Sequence, residues 1–251
     1  MPTTIQLPTP TPVQHRRRRA HRTTAVAIGA LGVLALAGGG LAIADSAFSQ
    51  HDESSFTAAG IRELVVALDA GDVTLVPGAS EGRVAVDTSR EWAWSKPAFR
   101  HSVEEGVLTL SGDCPNLGFG TCRVDQRVTV PAGVDVRVSI SSGDIQATGL
   151  NLAQLDVLTD SGDISARDVD ARRVRAETSS GDVEASLAET PERVTAETSS
   201  GDVTLTVPNG AYNVDAETSA GQVRVNVDDN PTATRRLSAH SSSGDVTIDH
   251  R

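Results

Sequence analysis

The sequence predicts an all-β fold, a β-solenoid of about 20-residue coils, preceded by one N-terminal transmembrane helix. Three observations lead to this prediction. A Ser-Gly-Asp-Val/Ile motif returns at nearly constant spacing, the residues around it alternate between apolar and polar, and a charge-free apolar stretch lies near the N-terminus. A turn residue that recurs at one phase of such a period is typical of stacked coils, in which each repeat contacts its neighbours.

The repeated motif predicts a corner in every coil. Its glycines, at positions 143, 162, 181, 201, 221 and 244, step by 19, 19, 20, 20 and 23 residues. Glycine adopts a positive φ at no steric cost, and aspartate hydrogen-bonds to nearby backbone. The predicted corner residues are Gly71, Asp72, Gly143, Asp144, Gly162, Asp163, Gly181, Asp182, Gly201, Asp202, Gly221, Gly244 and Asp245, with Gln222 in the place of one aspartate.

Strands are predicted on both sides of each corner. Val174 and Ala176 alternate with polar residues before one corner, and Val183 and Ala185 do so after it, which indicates strands with one buried face. The same inward positions recur in each unit, so equivalent residues should stack in columns about 4.8 Å apart. Hairpins of a β-sandwich are the alternative, but the steady period and repeated columns favour coils.

Hydroxyl groups also occupy inward positions of these predicted strands. They belong to Thr178, Thr198, Thr218 and Ser241. A buried hydroxyl needs a hydrogen-bond partner, and a ladder of hydroxyls along the stack would supply one.

The first 45 residues predict a membrane anchor. Residues 1–22 are predicted to be a disordered basic tail from their composition, and residues 23–45 contain a run long enough to cross a bilayer as a helix. The cluster Arg16–Arg19 precedes this run, so the N-terminus should stay in the cytoplasm and the rest should be exported. A cleaved signal peptide is the alternative, with Ala42-Ile43-Ala44 as the cleavage site.

The exported part is predicted to comprise a linker, residues 46–60, and one solenoid, residues 61–251. Residues 134–251 are regular repeats. Residues 61–133 are β-rich but irregular and contain the corner Gly71-Asp72, so they are predicted as first coils with insertions; a separate N-terminal β-domain is the alternative. The chain stops inside a repeat, which predicts an open sheet edge blunted by charged residues 249–251.

The charge of the exported part limits its partners. Residues 1–45 contain five arginines and one aspartate, so the remainder has 17 basic and 32 acidic residues and a net charge of −15. Such a domain is a poor nucleic-acid binder and is repelled by anionic lipid headgroups.

Acidic columns are the feature most suggestive of chemistry. Glu177, Glu197 and Glu217 should share one outward column, where like charges repel. Calcium could relieve that repulsion, but the sequence lacks the Gly-Gly-x-Gly-x-Asp pattern of calcium-binding β-rolls. Carboxylates at this spacing would suit a retaining glycosidase, yet nothing separates an acid from a nucleophile in equivalent positions. We therefore predict no catalytic activity, no cofactor and no metal site.

Two pairs of residues in the irregular region are predicted to be structural. Cys114 and Cys122 are the only cysteines, and in an exported domain two cysteines so close in sequence favour a disulfide. Trp92 and Trp94 would share one face of a strand, either exposed to stack on sugars or, as we predict, buried in the wider first coils.

Several segments in a fixed order resemble a known family. They are residues 68–73 with the first corner, the tryptophan stretch before Lys96-Pro97, residues 108–110 before Cys114, residues 128–134, and the Ser-Gly-Asp repeats. Together, over residues 55–251, they resemble the bacterial membrane-anchored β-strand-repeat proteins known as putative adhesins, a domain of unknown function. The replacement of one corner aspartate by Gln222 is the departure from the pattern, and it weakens any role that needs an unbroken aspartate ladder.

The resemblance implies a right-handed β-solenoid outside the membrane, with no catalytic residues to carry over. We accordingly predict a single-pass membrane protein that acts as an adhesin or as a binding or scaffold protein of the cell envelope. Cell-wall glycan or an envelope protein would be its partner. The alternative is an envelope-stress or regulatory accessory protein that acts on a membrane partner.

Overall fold

The computed structural model describes residues 49–78, 82–115 and 120–251, and within them the chain forms strands and turns without a helix. The strands are β1 Gln50–Ala59, β2 Glu63–Ala70, β3 Val73–Pro77, β4 Arg83–Trp92, β5 Ala98–Glu104, β6 Val107–Asp113, β7 Cys122–Val130, β8 Asp135–Ser142, β9 Ile145–Thr148, β10 Asn151–Ser161, β11 Ile164–Ser180, β12 Val183–Leu187, β13 Arg193–Ser200, β14 Val203–Val207, β15 Ala211–Ala220, β16 Val223–Val225, β17 Asp228–Asp229, β18 Arg236–Ser243 and β19 Val246–His250. The all-β prediction is confirmed for these residues.

Strands before the corners form one sheet, and strands after the corners form a second. The pre-corner sheet has the order β5-β6-β2-β8-β10-β11-β13-β18-β15, and the post-corner sheet has the order β1-β4-β7-β3-β9-β11-β12-β14-β19-β16. The long strand β11 belongs to both sheets, since its first residues pair with β9 and β12 and its later residues with β10 and β13.

Successive coils pair in parallel and in register, so the predicted columns are confirmed. Val174 lies opposite Val194 and Ala176 opposite Ala196, while Ile164 lies opposite both Ile145 and Val183. These residues are at most 2 % exposed, and they belong to one apolar cluster that runs from Ile61 to Ile248. Because the irregular first strands share this core and β2 pairs directly with β8, residues 61–133 are continuous with the regular repeats.

The stack does not follow the sequence order at its C-terminal end. Strand β18 pairs with both β13 and β15, and β19 pairs with both β14 and β16. The last coil, residues 236–250, therefore lies inside the stack, and the coil that contains Gly221 lies at its end. The expectation that the chain ends at an open edge is therefore wrong. The long 23-residue step before Gly244 lets the chain pass the Gly221 coil and insert its last coil between that coil and the Gly201 coil.

At the opposite end of the stack, the order of the coils also departs from their order in the sequence. Strand β2 pairs with β6 and β8, and β3 pairs with β7 and β9, so the first coil lies between residues 107–130 and the first regular coil. Antiparallel strands complete this end, as β4 pairs with β7, β5 with β6, and β1 with β4 from Gln50 opposite Trp92 to Ala59 opposite Arg83. Residues 50–59, predicted as linker, are therefore an edge strand.

The two tryptophans do not share an environment. Trp92 is 7 % exposed, and the Lys96 ammonium lies 5.1 Å from the centre of its ring, whereas Trp94 is 63 % exposed. Burial was the correct prediction for Trp92 and the wrong one for Trp94. Strand β4 ends at Trp92, so the alternation that would place both rings on one face does not continue to Trp94.

Predictions about the N-terminal segments concern residues outside those described. These are the basic tail, the membrane-spanning run at residues 23–45 and the cleavage site at Ala42-Ile43-Ala44. Among residues 49–78, 82–115 and 120–251, no helix has the length and apolar character needed to cross a membrane.

The buried tyrosine predicts a specific dependence of stability on pH. The Tyr212 side chain is fully buried, and its hydroxyl donates a 2.7 Å hydrogen bond to the carbonyl oxygen of Pro208. Burial raises the pKa of the Tyr212 phenol above its ordinary value. The unfolded chain therefore loses this proton at lower pH than the folded chain. The contribution of the phenol to the free energy of unfolding should be fully present below about pH 10 and should fall as pH rises further.

Urea titrations at increasing pH test this expectation. The native chain should lose stability above about pH 10, whereas Tyr212→Phe should show a smaller loss there after an initial cost of about 1 kcal/mol from the missing hydrogen bond. Tyr212 is the only tyrosine, so the ultraviolet absorbance of tyrosinate reports its ionisation directly. Ionisation of the folded chain at or below the ordinary tyrosine pKa would contradict the expectation.

Candidate functional site

The corner glycines determine how closely the coils stack. Gly162, Gly181 and Gly201 have φ values of 142°, 143° and 144°, in the region that favours glycine. A Cβ at Gly181 would lie 2.1 Å from the carbonyl oxygen of Gly162, and the same clash, at 2.0–2.1 Å, recurs at Gly143, Gly162 and Gly201. Only the absence of a side chain lets successive backbones approach this closely.

The corner aspartates cap the backbone of the neighbouring coil. In each coil one carboxylate oxygen, Oδ1, accepts the backbone N–H of the next corner residue, at 2.7–3.0 Å. The chain of bonds runs in stack order through Asp125, Asp72, Asp144, Asp163, Asp182, Asp202, Asp245 and finally Gln222. These side chains satisfy donors that would otherwise face outward, as helix caps do.

The aspartate ladder is unbroken, contrary to the expectation based on Gln222. Asp245 follows Asp202 directly because the last coil lies inside the stack, and Gln222 occupies the end, where no further coil presents an N–H. Arg224 pairs with Asp245 at this end at 3.3 Å. The replacement thus marks the terminal coil.

Sequence analysis missed the first member of the ladder. Asp125 lies on β7 without a corner glycine before it, and its Oδ1 accepts the N–H of Asp72 at 2.8 Å. Arg123 contacts both carboxylates, and its hydrogen bond to Asp125 raises the pKa of the guanidinium above its ordinary value. Only the pairing of β3 with β7 reveals this role, since the motif around Asp125 differs from the repeat.

Removing one aspartate should have a small, measurable cost. Asp182→Ala deletes the acceptor of the Asp202 N–H, which lies 2.8 Å away, and should destabilise the fold by about 1 kcal/mol. Asp182→Asn keeps an oxygen at the same place and should cost less than half as much. Urea denaturation of both variants measures the difference; equal losses would show that the charge, and not the hydrogen bond, matters.

The inward hydroxyls bond to backbone and not to one another. Thr178 Oγ1 donates to the carbonyl oxygen of Gly162 at 3.0 Å, and the predicted hydroxyl ladder is therefore wrong. The same bond to a corner glycine occurs at Thr159, Thr198, Thr218 and Ser241. Each hydroxyl thus helps to hold the corner of the preceding coil in the stack.

An acidic groove runs along the outer face of the pre-corner sheet. It has a volume of about 520 Å³, and its floor is the column Glu177, Glu197, His240 and Glu217, flanked by a column of Asp160 and serines. The serines are Ser179, Ser199, Ser242 and Ser219. We call this the acidic groove.

The predicted column of three adjacent glutamates is only partly correct. His240 lies between Glu197 and Glu217, because the last coil inserts there, and its Nε2 lies 3.4 Å from Asp215 Oδ1. A histidine in this position separates two carboxylates that would otherwise repel each other. Within the three described ranges, no group of three or more His, Cys, Asp or Glu side chains is arranged to hold a metal ion.

Cys114 and Cys122 are joined by a disulfide, with their Cα atoms 5.9 Å apart. The bridge ties the end of β6 to the start of β7, and the backbone N–H of Cys114 donates to Asp69 at 2.9 Å. It lies at the irregular end of the stack, far along the chain from the acidic groove.

The fold and its outer face define an all-β repeat protein, in which parallel coils stack through columns of glycine and aspartate. The chain belongs to the Toastrack DUF4097 family, whose profile matches residues 61–250. This family is a domain of unknown function, and membership confirms the resemblance found in the sequence.

The chain also shows a distant likeness to several solved structures, with TM-scores below 0.5. A putative cell adhesion protein from Clostridium sporogenes is 15% identical with a TM-score of 0.49, and the match covers 80% of this chain and 100% of that chain. A putative adhesin from Bacteroides fragilis is 14% identical with a TM-score of 0.42, and the match covers 80% of this chain and 97% of that chain. A putative lipid binding protein from Parabacteroides distasonis is 13% identical with a TM-score of 0.30, and the match covers 80% of this chain and 96% of that chain. No curated protein matches the chain.

Proposed function

We propose that this chain is a non-catalytic binding or scaffold protein of the bacterial cell envelope. Residues 23–45 anchor it in the cytoplasmic membrane with the N-terminus inside, and the repeat stack lies outside the cytoplasm as a right-handed β-solenoid. The right hand is supported by the general preference of parallel crossover connections, about 98% of which are right-handed. The charge-free run behind an arginine cluster in residues 16–44, and the disulfide between Cys114 and Cys122, support the placement.

The acidic groove is the observation on which this proposal depends. Its rungs follow one another about 4.8 Å apart, the spacing of neighbouring strands. On β11, β13, β18 and β15, each rung presents a carboxylate or imidazole beside a serine hydroxyl. Carboxylates accept hydrogen bonds, and serine hydroxyls both accept and donate them. Such an array suits a polymer that carries hydroxyl groups at regular intervals, as a cell-wall glycan does.

The groove does not resemble a catalytic centre. Glu177, Glu197 and Glu217 occupy equivalent outward positions on β11, β13 and β15, so their surroundings do not separate a general acid from a base. The groove is open along its length, which fits the binding of an extended polymer better than the enclosure of a reacting bond.

Retention of the full-length chain, in neutral detergent, on isolated cell-wall glycan tests the proposal. The native chain should be retained, and Glu177→Gln/Glu197→Gln/Glu217→Gln should bind at least about tenfold more weakly. Glu91→Gln/Glu104→Gln/Glu189→Gln is the matched control, because it changes charge equally at exposed glutamates outside the groove and should bind like the native chain.

The same experiment separates the proposal from its alternative. Equal weakening in both triple variants would indicate general electrostatics and would contradict a groove-specific role. Retention of one membrane protein from a solubilised membrane extract, with none on glycan, would instead support an envelope-stress or regulatory accessory protein acting on that partner.

A further inference from the structure

Five arginines and one glutamate form a compact grid along three neighbouring strands of the pre-corner sheet, where β11 enters that sheet and where β13 and β18 begin. Arg173, Arg193 and Arg236 lie side by side in one column, in register on β11, β13 and β18. The preceding positions, Arg172, Glu192 and Arg235, lie beside them. Backbone bonds hold the rows together, from Glu192 N to Arg172 O at 2.8 Å and from Arg236 N to Glu192 O at 3.0 Å. We call these six residues the arginine grid.

The charges in the arginine grid are not balanced. Glu192 is its one carboxylate, and it lies 3.4 Å from Arg173 and 4.0 Å from Arg172. Arg193, Arg235 and Arg236 are exposed and have no carboxylate within the 4.0 Å distance of an ion pair among the described residues. Five positive charges thus face a single negative one, in a chain whose exported part is strongly acidic.

The stacking order creates this imbalance. In a stack that followed the sequence, Asn213 would lie beside Arg193, but the inserted last coil places Arg236 there. Elsewhere the same column contains the acidic or neutral residues Glu63, Asp135 and Gln154. Like charges on neighbouring strands are unfavourable, so three adjacent arginines cost stability unless an anion neutralises them.

The shape of the surface indicates the size of that anion. A groove of about 420 Å³ is lined by Arg173, Glu192, Arg193, Thr234 and Arg235. The acidic groove begins at Glu177, only four residues further along β11, or about 13 Å at the rise of a strand. An extended polyanion or an anionic membrane surface would meet those carboxylates, whereas a single phosphate group would not.

We propose that the arginine grid binds a phosphate group, carried by a phosphate ester outside the cytoplasm. Guanidinium groups pair with phosphate through two parallel hydrogen bonds, and strands about 4.8 Å apart let Arg193 and Arg236 contact the same phosphate from two coils. Thr234 supplies a hydroxyl donor at the edge of the groove. This site is distinct from the acidic groove, and it does not depend on the function proposed for that groove.

Calorimetric titration of the full-length chain in neutral detergent tests this inference, with inorganic pyrophosphate as one probe and phosphatidic acid in mixed micelles as the other. Arg193→Gln/Arg236→Gln should weaken binding by at least about tenfold. The exposed pair Arg83→Gln/Arg127→Gln lies on the post-corner sheet and changes charge equally, so it should stay within about twofold of the native chain. Glu192→Gln should strengthen binding about threefold, since it removes the competing carboxylate.

The two probes distinguish the sources of the phosphate. Binding of pyrophosphate alone supports a phosphate group on a soluble molecule, and binding of micelles alone supports a lipid headgroup. Either result supports the inference only if Arg193→Gln/Arg236→Gln loses that binding. Absence of binding to either probe overturns the inference, as does an equal loss in the control pair. Weaker binding by Glu192→Gln would also overturn it, because the glutamate would then belong to the site as a contact and not as a competitor.

Discussion

Gly181→Ala is expected to destabilise the fold by at least about 4 kcal/mol, or to prevent folding. The added Cβ would lie 2.1 Å from the carbonyl oxygen and 2.6 Å from the carbonyl carbon of Gly162, and both are backbone atoms that cannot turn aside. Relief would require the two coils to separate, which would break the bond from Gly162 N to Ser180 O and stretch the aspartate ladder between Asp163 and Asp182. Urea denaturation followed by circular dichroism measures the loss.

Gly133→Ala separates backbone strain from the clash between coils. Gly133 also has a positive φ, of 79°, but a Cβ there would have no atom within 4 Å. Its replacement should therefore cost only about 1 kcal/mol, the price of the left-handed backbone alone. Equal losses in Gly181→Ala and Gly133→Ala would contradict the view that the corner glycine is needed for close stacking.

Two further glycines test the stacking order by the same measurement. Gly221→Ala and Gly244→Ala both introduce a clash of about 2 Å with a neighbouring carbonyl oxygen. The Gly221 coil lies at the end of the stack and can move outward, whereas the Gly244 coil is held on both sides. Gly244→Ala should therefore be the more damaging change, although Gly244 lies in the last repeat of the sequence.

Removal of the last repeat is expected to have the second large effect. A chain truncated after Arg235 loses a coil from inside the stack, and with it both interfaces of that coil. Leu237, Val246 and Ile248 are each at most 1 % exposed, and burial of such side chains contributes about 1.5–3 kcal/mol each. The melting temperature should fall by at least about 10 °C.

Removal of the coil that contains Gly221 is the matched control for that truncation. Residues 208–235 can be replaced by the five-residue loop 188–192, because that loop joins the equivalent positions Leu187 and Arg193 of another coil. The shortened chain loses a single interface at the end of the stack and should remain folded. If it unfolds while the truncated chain does not, the stacking order described for β13, β18 and β15 is wrong.

Much of the fold follows from the sequence because each coil repeats the same physical requirements. Inward columns such as Ile145, Ile164 and Val183 could be predicted from period-two alternation alone, and the structure places them in register. The corner could be predicted because glycine and aspartate are suited to turns. The hydrogen-bond partners of the corner side chains could not be predicted, because they are backbone groups, and the sequence does not distinguish one backbone group from another.

The order of the coils could not be predicted for a related reason. Coils with the same columns can pair in any order, because register depends on features that all of them share. Two signals distinguish the terminal coil, namely Gln222 in place of an aspartate and the 23-residue step that follows Gly221. Both the histidine within the acidic groove and the adjacent arginines of the grid result from this order, so sequence analysis missed them.

Cysteine cross-linking tests the stacking order most directly. Thr195 lies opposite Ser238, and Ser238 lies opposite Asp215, so Thr195 and Asp215 are two strands apart. Neighbouring strands lie about 4.8 Å apart, within the Cα–Cα range of a disulfide, whereas two strands exceed it. On mild oxidation, Thr195→Cys/Ser238→Cys should form a bond that peptide mass spectrometry detects, and Thr195→Cys/Asp215→Cys should not. A bond in the second variant and none in the first would show that the coils stack in sequence order and would contradict the account.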